Sequence, residues 1–246
     1  MDSRKRLFII IGCSILIVAV LIFFLIKKDE TAPSFFECGD KIIYQGDTYK
    51  TIQIGEQCWM KENLKTTKYR DGTPITNFKT NARWSNDTAG AYACYQNIEE
   101  NCSNFGALYN WYAVNNPAGL CPAGWSVPTN NQWLDMEKSV CQSLGHDNCQ
   151  AEFAYDSLAG FKGTDEANHL KSKTFQGSDT FGFSAFLYGF RNPNGPFSYF
   201  EEKGFWWTST FSGEFAYGRM MDAENQKVRQ LESMKSSGFS VRCIKD

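Results

Sequence analysis

Residues 121–145 read CPAGWSVPTNNQWLDMEKSVCQSLG. Thr129 followed three residues later by Gln132 is a capping-box signature, in which side chain and backbone satisfy each other at a helix start. Trp133, Met136, Val140 and Leu144 then recur at the spacing of one helical face. Gly145 suits the stop, because a residue past a helix end is often left-handed. The spacing predicts a helix over 130–143, the best-defined soluble helix in the chain. Its flanks lack that period. Upstream, FGALYNWYAV (105–114) has apolar residues at 105, 108, 109, 111, 112 and 114, a broad helical face whose ordinary role is core packing. Further upstream, KIIYQGDTYKTIQI (41–54) reads as two short strands about a Gly46-Asp47 turn. A third, shorter helix is expected over Asp165–Lys171.

After Phe175 the helical period disappears. Gly, aromatic and Ser/Thr residues alternate through GFSAFLYGFR, GFWWTSTF and FAYGRMM. The sequence GFSVRCIKD (238–246) places Phe239, Val241 and Cys243 alternately, as in a half-buried strand. Helices in the middle with strands at both ends imply an α+β domain with short strands, two or three helices and long loops. No interior linker or repeat divides it, so residues 38–246 are expected to form one domain.

Ahead of that domain, Leu7–Ile26 reads LFIIIGCSILIVAVLIFFLI, twenty uncharged residues between Arg4-Lys5-Arg6 and Lys27-Lys28. Twenty helical residues span roughly 30 Å, the thickness of a hydrocarbon core. Sixteen are Leu, Ile, Val or Phe, which favours insertion by about 5–10 kcal/mol. The expectation is a transmembrane anchor over 7–26, a cytoplasmic segment 1–6 and a short stalk 27–37. A cleaved leader would have a shorter apolar run and a small-x-small site. Lipidation at Cys13 would leave a very apolar tail after the modified residue. The three bases before the segment, against Lys27-Lys28 followed by Asp29-Glu30, place the N-terminus in the cytoplasm and the body in the periplasm or outside the cell.

Removing the five bases and three acids of residues 1–30 from totals of 25 and 27 leaves 20 bases and 24 acids, a net charge of -4 for residues 31–246. A mildly acidic body argues against nucleic acid, whose binding requires phosphate neutralisation. Eight cysteines follow Cys13, an even number suited to an oxidising compartment. Eight cysteines permit 105 pairings, so spacing alone does not decide. The expected set is Cys94–Cys102 and Cys141–Cys149, each closing a short polar loop, Cys121–Cys243 joining mid-chain to the last residues, and the remaining Cys38–Cys58. The competing metal reading, Cys141, His146 and Cys149, lacks a fourth ligand at the usual zinc spacing. No metal or cofactor is expected.

IGEQCWMKENLKTTKYRDGTPI (54–75), GALYNWYAV, LCPAGWSVPTNNQW, LYGFR with GFWWTST, and GFSVRCIKD together resemble the Fibrobacter succinogenes major paralogous domain, over about Gly39–Asp246. The resemblance implies bacterial origin, export, and a fold related to C-type lectin-like domains and formylglycine-generating enzymes. It implies no activity. Gly238-Phe239 and Arg242-Cys243 are similar to an element of those enzymes, but their copper-binding cysteine pair is close in sequence, and the cysteine preceding Cys243 is Cys149. Calcium-dependent lectins use EPN or QPD followed by WND; none of these occurs, and Asn192-Pro193-Asn194 lacks the Glu. Asp165, Glu166 and Asp179 could supply calcium oxygens only if the fold brought them together.

No G-x-S-x-G, P-loop or dinucleotide fingerprint is present. Paired carboxylates of a glycosidase are available by inventory alone. The functional signal that remains is aromatic, the cluster after Arg191. The candidate ligand contacts are Arg191, Tyr199, Trp206 and Trp207; alternation along a strand predicts that the two tryptophans do not both face inward. The function expected is a membrane-anchored, extracytoplasmic binding or adhesion module of the bacterial envelope, its ligand a glycan or an envelope protein, displayed on loops between about 176 and 235. The alternatives are an envelope polysaccharide-acting enzyme with paired carboxylates and a structural accessory subunit; no catalytic residue is assigned.

Overall fold

A computed structural model describes residues 36–246; the segment 1–6, the apolar stretch 7–26 and most of the stalk lie outside the described residues. Strands β1 (Lys41–Tyr44) and β2 (Asp47–Ile54) pair antiparallel, with Tyr44 opposite Asp47. The loop between them is Gln45-Gly46, one residue earlier than expected. Both have positive φ, 52° and 93°, as a two-residue hairpin loop matched to strand twist requires. β3 (Gln57–Met60) follows, and the sheet is completed by two late segments, β7 (Trp125–Ser126) and β14 (Ile244–Lys245), in the order β1-β2-β3-β14-β7. A small three-stranded sheet holds β4 (Thr76–Asn77), β5 (Ala91–Ala93) and β6 (Leu108–Tyr109).

The largest sheet has six strands: β8 (Gly160–Lys162), β9 (Tyr188–Arg191), β10 (Phe197–Phe200), β11 (Lys203–Ser212), β12 (Phe215–Asp222) and β13 (Val228–Met234). Their order is β10-β9-β11-β12-β13-β8. Much of the region expected to be loop is therefore ladder. The helices are α1 (Asn81–Ser85), α2 (Glu99–Phe105), α3 (Trp111–Val114), α4 (Asn130–Ser143), α5 (Cys149–Glu152) and α6 (Glu166–Leu170). The class is α+β, with more helices than the two or three expected. Among the described residues no helix is long and apolar enough to cross a membrane.

α4 carries the predicted capping box. The Gln132 N–H donates to Thr129 Oγ1 at 3.1 Å, and the Thr129 N–H donates to Gln132 Oε1 at 2.8 Å. Its apolar face enters the main core, where Trp133, Met136 and Val140 pack with Trp59, Phe183, Trp206 and Ile244. Trp133 meets Trp59 edge-on, with centroids 5.0 Å apart. Leu134 and Cys141 instead join Cys149 and Phe153 in a smaller cluster.

Two sequence expectations are corrected here. Residues 105–114 are not one helix. α2 ends at Gly106, β6 follows, and α3 is a single turn whose start is capped by Asn110 Oδ1 accepting from the Ala113 N–H at 3.1 Å. Residues 106–111 are all buried, so the apolar positions reflect burial on every side, not a helical stripe. Likewise residues 237–244 are buried throughout, not alternately. This segment bridges Arg191 through Gly238, Tyr109 through Phe239 and Trp206 through Ser240 before entering β14. It runs between layers and has no solvent face.

The four expected cysteine pairs are all at bonding distance: Cys38–Cys58 at 1.99 Å, Cys94–Cys102 at 2.06 Å, Cys121–Cys243 at 2.08 Å and Cys141–Cys149 at 1.97 Å. Each constrains the unfolded chain, to an extent that grows with loop length.

Candidate functional site

Of the four proposed ligand contacts, three are core residues. Arg191, Trp206 and Trp207 each have 0% exposure, which corrects the expectation that they form a contact surface. Arg191 Nε donates to the Gly195 carbonyl at 2.8 Å, and its guanidinium lies over Trp84 and Phe197 at 4.4 and 4.9 Å. Burial pulls its pKa down to about 10. Trp206 and Trp207 do alternate across β11, as a pleated strand requires. Both sides, however, are interior. Trp206 faces α4, with Nε1 donating to Asn63 Oδ1 at 2.9 Å. Trp207 stacks on Phe239 at 4.1 Å, and its Nε1 donates to the Tyr109 carbonyl at 2.7 Å.

Tyr199 is placed differently. It is 44% exposed on the edge strand β10, with φ of 64°. Its ring is nearly parallel to Phe190, 10° between planes at 5.9 Å, and Lys203 Nζ lies 4.8 Å from its centroid. Lys203 is in turn paired with Asp222 at 3.2 Å. Phe200, also partly exposed, leans on Tyr95 and Tyr188. Glu201 and Glu202 follow directly, both exposed. Gly189 on β9, with φ of 65°, lies close against this strand: a Cβ there would lie 2.3 Å from the Ser198 carbonyl. The result is an exposed aromatic ledge at Tyr199, backed by Phe190 and flanked by Lys203, with Phe200 packed separately on Tyr95 and Tyr188.

A second concavity lies at the opposite side of the same sheet. It measures about 200 Å3 and is lined by Asn130, Tyr155, Ser157, Tyr217, Gln230 and Glu232. None of these was singled out in the sequence. The signal available was weak: Gln230 sits in VRQLESM, where a polar residue normally marks the solvent side of a strand.

The groups considered for metal or acid–base chemistry are each otherwise engaged. Cys141 and Cys149 are bonded to each other, and His146 Nε2 lies 2.6 Å from Asp165 Oδ1. Asp179 accepts from the Ser184 N–H and hydroxyl, both at 2.7 Å. Glu166, fully buried, accepts from the Thr164 N–H at 2.5 Å. Asp165, Glu166 and Asp179 therefore have separate partners, and among the described residues no three His, Cys, Asp or Glu side chains are arranged to hold a metal ion. Glu137, on the buried side of α4, accepts from Arg219 Nε at 2.6 Å; burial pushes its carboxyl up while Arg219 opposes. Cys243, the residue matched to the copper enzymes, is bonded to Cys121.

The fold and its ledge thus define an α+β domain braced by disulfides, presenting shallow polar-aromatic surfaces. Residues 52–245 match the Fibrobacter succinogenes major domain, and the chain belongs to that family. No curated protein and no solved structure matches the chain.

Proposed function

We propose that the chain is a non-catalytic binding module of the bacterial envelope, with a C-type lectin-like fold and residues 7–26 as its membrane anchor. The N-terminus would be cytoplasmic and the body periplasmic or extracellular. Four disulfides support an oxidising compartment. The flanking bases and twenty apolar residues support the anchor.

The observation that carries the binding role is Tyr199: an exposed ring on left-handed backbone. An aromatic face beside carboxylates matches a sugar, whose C–H face stacks and whose hydroxyls donate. A glycan is therefore the favoured ligand over an envelope protein.

The test is binding of the full chain to a glycan array and to isolated envelope polysaccharide, with Tyr199→Ala and Tyr199→Gly alongside. Loss of the ring should weaken binding about tenfold, equivalent to ~1.4 kcal/mol, with the near-ultraviolet spectrum of the core tryptophans unchanged. Absence of binding to every glycan and envelope fraction would refute the role, and binding by both variants as strong as that of the unsubstituted chain would refute the part given to Tyr199.

A further inference from the structure

Arg70 carries a charge that no carboxylate of the fold neutralises. It lies in the turn at 69–73, where its backbone N–H donates to the Gly119 carbonyl at 2.7 Å. Among the described residues no ion pair or side-chain hydrogen bond includes its guanidinium. The neighbouring carboxylate, Asp71, accepts instead from the Thr73 N–H at 2.8 Å. The guanidinium lies against Gly119: a Cβ there would stand 2.6 Å from Nη2 and 2.9 Å from Cζ. Gly119 has φ of 78°, the left-handed region that glycine adopts without strain. A side chain at 119 would push the cation aside.

Arg70 is the only charged residue lining a cleft of about 370 Å3, whose wall has no carboxylate. Ser126 on β7, Ser209 on β11 and Thr129 at the start of α4 supply hydroxyls to the same wall. The β11–β12 ladder shifts register between Trp207 and Phe211, and Ser209 there donates its backbone N–H to the Pro128 carbonyl at 2.8 Å. Such a bulge re-aims a side chain. Ser126 and Ser209 are both half-buried, and neither hydroxyl has a protein partner or is sealed from solvent. Thr129 Oγ1 accepts from the Gln132 N–H at 3.1 Å, which leaves its own O–H as a donor. The rest of the wall is largely apolar. Val114 and Val127 each keep 8% of their surface and Trp125 keeps 5%, so a ligand in the cleft reaches them.

These groups specify charge and shape. A guanidinium without a carboxylate, accompanied by hydroxyl donors, fits an oxyanion. Its planar fork matches a carboxylate through two parallel N–H···O bonds. One cation balances one negative charge, which favours a carboxylate over inorganic phosphate. The apolar wall favours a hydrocarbon body over a free ion. The volume equals about twelve waters at ~30 Å3 each, room for an acid group and one small ring or short chain.

We propose that this cleft binds a small organic monocarboxylate, its acid group on Arg70 and its hydrocarbon body against Val114 and Val127. The site adjoins β7, in a different sheet from the Tyr199 ledge on β10, and does not depend on it.

The experiment is a saturation-transfer-difference NMR titration of the full chain in lipid nanodiscs with benzoate. Benzamide serves as the neutral analogue and inorganic phosphate as competitor. Benzoate should receive transfer at its ring protons and benzamide should bind about tenfold more weakly. Arg70→Gln should weaken benzoate about tenfold and Ser209→Ala about threefold, while Tyr199→Ala leaves it unchanged. Because the Arg70 side chain has no protein partner, Arg70→Gln should keep the urea midpoint of the unsubstituted chain. Loss of folding in that variant would contradict the isolation of Arg70, and Ser209→Ala would then decide whether the cleft binds. The proposal falls if benzoate does not bind, if benzamide binds equally, or if phosphate displaces benzoate at equal concentration. It falls equally if transfer persists at full strength in folded Arg70→Gln, or if Tyr199→Ala weakens benzoate as much.

Discussion

Removing the Cys121–Cys243 bridge should destabilise the protein far more than removing Cys141–Cys149. The two pairs are well matched otherwise, since all four cysteines are at least 95% buried. Replacing either pair with alanine therefore deletes similar packing, and the difference isolates the loop. The separations are 122 and 8 residues. Chain-entropy scaling assigns about 4.9 kcal/mol to the longer closure and about 2.5 to the shorter, a gap of ~2.4 kcal/mol. The short bridge is nested within the long loop and shortens it by only eight residues, which barely alters the logarithm. For a domain of this size the gap corresponds to about 5–10 °C in unfolding temperature. Urea unfolding of the full chain with Cys121→Ala/Cys243→Ala and with Cys141→Ala/Cys149→Ala, under non-reducing conditions, measures it. Equal losses in the two double variants would show that unfolded-state closure is not what these bridges control.

The buried Glu137–Arg219 pair should be intolerant of half-removal: Glu137→Gln leaves a buried guanidinium without its counter-charge and should lose about 3–5 kcal/mol. Converting both residues to methionine should lose less, and a double-mutant cycle in urea that shows no coupling would refute the pairing. His146 should titrate above the ordinary imidazole value, because its hydrogen bond to Asp165 favours the charged ring, with Asp147 and Glu166 acting in the same sense. Folding then gains from protonation, so this stabilisation is complete below about pH 6.5 and disappears as pH rises through the raised value. His146→Gln should flatten that part of the urea-midpoint profile, and an NMR titration at or below the ordinary imidazole pKa would contradict the assignment. Thr129→Ala removes one half of the capping box and should lose about 1 kcal/mol, read as a drop in thermal midpoint; no drop would mean the box does not hold the helix start.

The parts of the fold legible in the sequence are those with a local cause. The capping box and the Trp133–Val140 period mark α4, Gly46 marks the first hairpin, and the short Cys94–Cys102 and Cys141–Cys149 loops mark their own bridges. The aromatic segments differ from their sequence pattern for one physical reason. Period distinguishes inside from outside only where one face meets water, and residues 106–111 and 237–244 meet none. The same reason removed Trp206 and Trp207 from the candidate surface, since β11 is covered on both faces. Tyr199 was recognisable as an aromatic but not as exposed, because nothing in FSYFEEKG announces a left-handed tyrosine. Gln230 was invisible for the converse reason: its polarity suggests water, whereas the loop before β8 roofs it over. The anchor over 7–26 lies outside the described residues and stays a reading of the sequence.

β14 sits between β3 and β7, and the segment leading to it passes through the interior. Residues 237–245 are made after every strand they join. A polypeptide halted at residue 236 would therefore have an open seam in its first sheet, no floor beneath Trp207 and an unmatched thiol at Cys121. Assembly of the first sheet and of the layer under Trp207 consequently waits until residues 237–245 have been made.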